Sequence, residues 1–320
     1  MSRYLVTGGH GFIGSRLSCY LASKGHEVLI LSRDRTNHEY TSFSCDIGYD
    51  ELPHGLMEGV DGVFHLASMA HTDLSGPQAE RCWRVNVTGT EALLQAAIDS
   101  GVSKFIYFSS VKAVAESEHC VDETWSACPT DIYGKSKREA EKLVVKAGLS
   151  SSMNVCNLRP ALVYGPHVKG NLARMVHAVR SGFFPPLPNF RNRRSMVSVD
   201  DLIAAAYMSM NNDQVNGKTY FITDSVDYST QMIYEAMRKN MGLPIPSWTM
   251  PNIVLNAGAR VGDWVQAYLG CQMPLNSTIL KRISGSACYS SGAMIRDTGW
   301  QASQTFFDVL PTMVQSVVCS

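Results

Sequence analysis

The sequence predicts an α/β fold in which a doubly wound parallel sheet carries a smaller C-terminal lobe. Three observations predict it. Short β-branched or aromatic runs alternate with helical patterns through the first half of the chain. A glycine cluster, Gly8, Gly9, Gly11 and Gly14, sits between the first such run and the first helix. After Tyr164-Gly165-Pro166 the alternation loosens and prolines become frequent. The glycine cluster makes the fold Rossmann-type, because a glycine turn there lets backbone N–H groups approach a diphosphate at a helix N-terminus. Both Gly9-x-Gly11-x-x-Gly14 and Gly8-x-x-Gly11-x-x-Gly14 fit. Either is a weak signal alone and a strong one between a strand and a helix.

Tyr4–Val6 reads as the first strand and Phe12–Lys24 as a helix closed by Lys24-Gly25. Glu27–Leu31, Gly62–Leu66, Lys104–Phe108 and Asn154–Leu158 read as the next strands. Arg81–Ser100 and Tyr133–Ala147 read as the helices between them. Phe183–Pro188 carries too many prolines for a central strand. Ser195–Val199 and Thr219–Ile222 read as strands returning to the sheet, with later helices near Ser229–Asn240 and Pro251–Leu269. The resulting division is a dinucleotide-binding domain over 1–165 and a substrate lobe over most of 166–320.

With 28 basic and 28 acidic residues, charge gives no reason to expect a nucleic-acid partner. Nine cysteines without a C-x-x-C pair argue against a disulfide framework and for a reducing cytoplasm. A first strand starting near residue 4 leaves no signal peptide to expect, and no apolar run reaches the about 18–20 residues of a membrane span. No metal site is expected.

Tyr133 and Lys137 are four apart, on one helix face. A lysine ammonium beside a phenol lowers the phenol's pKa, so this tyrosine is expected to move a proton at neutral pH. Ser110, after the apolar strand Lys104–Phe108, is placed to share the hydrogen bond.

Thr7–Gly14, His65-Leu66-Ala67, Asn86–Gly89, Ser109-Ser110, Tyr133-x-x-x-Lys137, Arg159-Pro160 and Tyr164-Gly165-Pro166 together resemble the extended short-chain dehydrogenase/reductases of the NAD-dependent epimerase/dehydratase type. The resemblance implies a nicotinamide cofactor, NAD or NADP, a nucleotide-sugar substrate and a homodimer. It implies that Tyr133 is the general acid/base, that Lys137 binds the nicotinamide ribose, and that Ser110 bonds the reacting oxygen. It places Gly8, Gly11, Phe12, Ile13, Gly14, Leu66 and Ala67 against the cofactor, with Asp46-Ile47 at the adenine. Dehydratases of the family follow the catalytic Ser/Thr with Asp-Glu; Val111-Lys112 stands here, which disfavours dehydration and sets Lys112 toward the substrate. Ser32, Arg33 and Arg35 after the second strand suit a 2′-phosphate, while Asp34 suits a free ribose hydroxyl. Asn171, Arg194 and Arg282 are expected to grip a diphosphate.

The implied function is epimerisation at C4 of a diphosphate-linked hexose such as UDP-glucose or UDP-GlcNAc. The alternatives are NADPH-dependent reduction of a UDP-4-keto-6-deoxy-acetamido sugar, epimerisation of a polyprenyl-diphosphate-linked N-acetylhexosamine, reduction of a non-sugar ketone, and cofactor binding without catalysis. Trp248–Leu275 is rich in apolar residues, and reads either as a buried cap or as an interfacial helix giving peripheral membrane contact.

Overall fold

A computed structural model describes residues 1–33, 39–70, 76–269 and 275–319. The strands are β1 (Arg3–Thr7), β2 (Glu27–Ser32), β3 (Thr41–Ser44), β4 (Gly62–His65), β5 (Lys104–Phe108), β6 (Asn154–Pro160), β7 (Leu162–Tyr164), β8 (Met196–Ser198) and β9 (Lys218–Ile222). Seven of them form one parallel sheet in the order β3-β2-β1-β4-β5-β6-β9, a doubly wound topology whose order reverses beside β1. The central strands are buried except at their first residues Arg3 and Lys104, as a sheet covered on both faces requires.

The helices are α1 (Phe12–Ser23), α2 (Pro77–Trp83), α3 (Gly89–Asp99), α4 (Ile132–Ser150), α5 (Asn171–Arg180), α6 (Val199–Met210), α7 (Thr230–Asn240), α8 (Asn252–Leu269), α9 (Ser277–Ser284), α10 (Gly292–Thr298) and α11 (Phe306–Val318). Two apolar layers cover the sheet. One joins α1 and α6 to the strands through Leu17, Leu21, Leu202 and Ala206; the other joins α3 and α4 through Leu93, Ala97, Ala140 and Val144. The expected helix 81–100 is α2 and α3 joined through a π-helical turn at Arg84–Thr88.

Two expectations are corrected. The strand expected at 195–199 does not return to the large sheet: β8 pairs with β7 in a separate two-stranded sheet, in register Leu162↔Met196. Pro160 ends β6, and the chain leaves the sheet edge to β9, which pairs directly with β6. Residues 199–222 then rejoin the sheet as α6 and β9, and Met294 and Trp300 pack on the same layer. The second correction concerns cysteine. Cys120 and Cys288, 168 residues apart, form a disulfide, because Val121 and Tyr289 pair in a β-bridge that brings their neighbours' Cα atoms within 4.5 Å. Composition has no access to that pairing, so the cysteine argument for compartment loses its footing. Among the described residues, no helix is long and apolar enough to cross a membrane.

Candidate active site

The site forms at the carboxyl ends of the strands, where such sheets bind ligands. A cavity of about 670 Å³ runs from the glycine loop past β4 and β5 to α5 and α9.

At one end lies the turn from β1 to α1. Gly8 adopts φ +69°, and a Cβ on it would lie 3.0 Å from the Ala67 nitrogen. A Cβ at Gly14 would lie 2.3 Å from the Gly8 carbonyl oxygen, so only glycine lets the helix sit this close to the loop. Gly11 caps α1 without a side-chain hydrogen bond, which leaves the first-turn N–H groups to a ligand. Gly8, Gly11, Phe12, Ile13, Gly14 and Leu66 all line the cavity. The cradle and the open helix end fit a dinucleotide diphosphate. Ala67, between the lining residues Leu66 and Ser68, does not itself line the cavity and donates its N–H to Thr7 Oγ1 at 3.0 Å.

The expected adenine end is at the β2/β3 edge. Ser32 bonds His10 of the glycine loop at 3.0 Å, and Arg33 is exposed just beyond the strand. Asp46 pairs with Arg81 at 2.8 Å, and Ile47 is buried in the layer beneath α3. None of these four lines the cavity. Arg35, with Asp34, lies outside the described residues.

At the centre, Asp131 caps α4 by accepting the Gly134 N–H at 2.8 Å, which sets Tyr133 in the first turn. Ser110 follows β5 and caps a short 3₁₀ turn by accepting the Lys112 N–H. Ser110, Tyr133 and Lys137 line one stretch of cavity wall. Lys137 is 2 % exposed; its ammonium donates to the Phe108 carbonyl at 2.7 Å and lies 4.4 Å from the Tyr107 ring centroid. Burial pulls its pKa down to about 7, opposed by the Glu141 carboxylate one turn along. Burial also pushes Tyr133 up to about 12, opposed by the Ser110 hydroxyl. The expected lowering of Tyr133 by Lys137 is therefore not seen in the protein alone. The ammonium is committed to Phe108, and desolvation dominates at the phenol.

At the far end, Lys112 lines the cavity and pairs with Glu116. Asn171 is the first residue of α5 and is exposed to the cavity. The basic loop 191–194 divides its charges. Arg193 pairs with Asp227, Arg191 is exposed at φ +52°, and Arg194 turns inward. Arg194 is held by its backbone to Tyr228, and its Nη1 donates to the carbonyls of Arg282 and Gly285, at 2.5 and 3.2 Å. Arg282 lines the same wall, next to Lys281. The structure thus brings Lys112, Asn171, Arg194 and Arg282 to one end of the cavity.

The lining residues that sequence reasoning missed include Glu116, Lys281 and Tyr289. The i, i+4 spacing of Lys112 and Glu116 was the one available signal. It also missed the work of Asn86 in the π-helical turn. Its amide accepts the Met69 N–H at 2.8 Å and donates to Ser136 Oγ at 2.9 Å, tying the loop after β4 to α4.

The glycine cradle, the strand-end serine and the buried lysine one turn beyond the tyrosine define a dinucleotide-dependent enzyme of the short-chain dehydrogenase/reductase class. Residues 4–223 match the NAD dependent epimerase/dehydratase family, and the chain belongs to that family. It is an enzyme of nicotinamide dinucleotide chemistry. A UDP-glucose 4-epimerase from Vibrio cholerae is 30% identical over 94% of this chain and 91% of its own length. A 3-beta-hydroxysteroid dehydrogenase from Mycolicibacterium neoaurum is 25% identical over 94% of this chain and 87% of its own. The crystal structure of a UDP-glucose 4-epimerase with UDP-glucose from Thermotoga maritima shares the fold, with a TM-score of 0.81 at 20% identity over 99% of both chains.

Proposed function

We propose that the protein is a 4-epimerase of a diphosphate-linked hexose, with UDP-glucose and UDP-GlcNAc as first candidates. The observation that carries this reading is the spacing of two groups along one cavity. The proton-handling Ser110 and Tyr133 stand at its centre, and the cations Arg194 and Arg282 stand at its far end. On this reading the hexose would lie against Ser110 and Tyr133 and its diphosphate against the arginines. The Vibrio cholerae relative supports the sugar. An undecaprenol-linked N-acetylglucosamine 4-epimerase from Escherichia coli O157:H7, 24% identical over 97% of this chain, supports the reaction at C4 on another diphosphate carrier.

Tyr133 takes the proton from O4 as the ketone forms and returns it as the ketone is reduced. Ser110 holds that oxygen by hydrogen bond. Lys137, fixed on the Phe108 carbonyl at 2.7 Å, would hold the ribose of a bound nicotinamide. A nicotinamide ring held by this chain would supply the hydride acceptor and donor and, when oxidised, a positive charge. Val111-Lys112 leaves no carboxylate pair for removing water.

Arg194→Ala is expected to raise KM for a UDP-hexose about ten- to a hundredfold with little change in kcat, the worth of a charge-assisted hydrogen bond of about 1.5–3 kcal/mol. Steady-state kinetics with UDP-glucose and UDP-GlcNAc check this. Activity on a free sugar or a steroid ketone, unchanged by the substitution, overturns the diphosphate reading.

A second reading, an NADPH-dependent 4-ketoreductase, is favoured by one observation: Ser32 and the exposed Arg33 end β2 where a 2′-phosphate would stand. Arg33→Ala is expected to weaken NADPH more than NADH in a fluorescence titration, since only the former offers a phosphate to the guanidinium. Equal losses for the two cofactors remove this reading.

A further inference from the structure

The helix α8 has two apolar faces, and only one is used. Leu255 and Ala259 are buried with Leu187, Leu280 and their neighbours, and Gly262 lies against the Leu275 carbonyl. On the other side, Ile253, Ala257, Val261, Trp264 and Tyr268 recur every three to four residues and face solvent. Ile253 is 82 % exposed and Tyr268 73 %, and the Trp264 and Tyr268 rings meet at 4.9 Å. The patch extends beyond the helix. Met250 donates its N–H to the Pro186 carbonyl at 2.8 Å, which ties the segment before α8 to the proline-rich loop that carries Phe183, 87 % exposed; Trp248 is also exposed. Scattered exposed apolar residues need no explanation; a contiguous patch of this kind does.

Charge says what covers it. Residues 166–199 hold six basic residues and no acidic one; of these Arg193 pairs with Asp227 and Arg194 turns into the cavity. Exposed Arg180 lies three residues before Phe183, and exposed Arg260 lies on α8 itself. The one acidic residue of α8, Asp263, turns away from the patch to accept the Ser277 N–H at 3.0 Å. The patch therefore combines aliphatic side chains, Trp and Tyr with a surrounding of positive charge. That is the chemistry of a helix lying in the interface of an anionic bilayer.

We propose that α8, with Phe183 and Trp248, docks the protein on the surface of an anionic lipid bilayer, lying in the interface without crossing it. The proposal does not depend on the substrate reading, since docking is measured without substrate.

The test is co-sedimentation of the full chain with vesicles of phosphatidylcholine alone and of phosphatidylcholine with about one-third phosphatidylglycerol. The protein is expected to partition onto the anionic vesicles and to be released by high salt. The triple variant Ile253→Ser, Val261→Ser, Trp264→Ser is expected to lower partition at least about tenfold, with little change in the thermal melt because all three side chains are exposed and Trp264 meets the Tyr268 ring at the surface. A conservative pair, Trp248→Phe with Trp264→Phe, is expected to keep partition and to abolish tryptophan quenching by brominated lipid. No partition of the wild type, or quenching that persists in that pair, overturns the proposal. So does a wild-type dimer that the triple variant splits while neither binds vesicles, which would make the occupant a second copy of the chain.

Discussion

Tyr133→Phe is expected to lower turnover about 10²- to 10⁴-fold, the usual worth of general acid–base catalysis. The phenol lines the cavity wall beside Ser110 and can give a proton to a developing alkoxide and take one back when positive charge is beside it. Ser110 is too weak an acid, and Lys137 is committed to the Phe108 carbonyl. Burial holds Tyr133 up to about 12, so it stands protonated and ready to donate, and it becomes a base only when positive charge is brought beside it. The Phe variant should keep the fold, because Tyr133 sits in the first turn of a helix capped independently by Asp131. It should keep cofactor binding for the same reason. The measurement is kcat on a UDP-hexose together with a cofactor titration of the variant. Near-full activity would remove Tyr133 from the mechanism. Loss of cofactor binding would make its role structural.

The division between what the sequence showed and what it hid follows from range. The glycine turn, the Tyr133–Lys137 spacing and the buried strands are local patterns, set by φ freedom, helical period and apolar runs, and each falls where the structure has it. The strand Thr41–Ser44 was missed because it is a short, polar edge strand with no burial to mark it. The helix α6 was missed because its start signal is a single cap, Ser198 accepting the Asp201 N–H at 3.0 Å, directly behind a strand. The β7/β8 pairing and the Cys120–Cys288 bridge are contacts between distant segments and have no local signature. Arg194 shows the same limit at the site. Its position was legible, but its clamp by the Arg282–Gly285 carbonyls was not. Arg159 is a different case. The Arg159-Pro160 pair was read only as part of a resemblance, and the structure gives the arginine a structural partner.

That partner carries the second large effect. Arg159, at the end of β6, donates from Nε and Nη2 to the two oxygens of Glu141, both at 2.7 Å, and stands over the Phe221 ring. Both side chains are buried. Removing one member of such a pair leaves an unpaired charge inside, at a cost of about 3–5 kcal/mol, whereas replacing both by apolar residues is often neutral. Glu141→Ala is therefore expected to lose about that much stability, and Glu141→Met with Arg159→Met to recover most of it. Glu141 also lies one turn from Lys137 and is the main group raising its depressed pKa. The sign follows from proton counts. Lys137 titrates at about 7 folded and near the ordinary 10.5 unfolded, so the unfolded chain binds more protons between those values. Stability contributed by this site falls as pH drops through that window and levels off below it. Without Glu141 the folded pKa moves lower and the fall continues below 7. Urea melts at about pH 6 and about pH 9 should thus show a larger deficit for Glu141→Ala at the lower pH. An equal deficit at both would disconnect Glu141 from the charge on Lys137. A total loss below about 1 kcal/mol would show that the pair is not dry enough to matter.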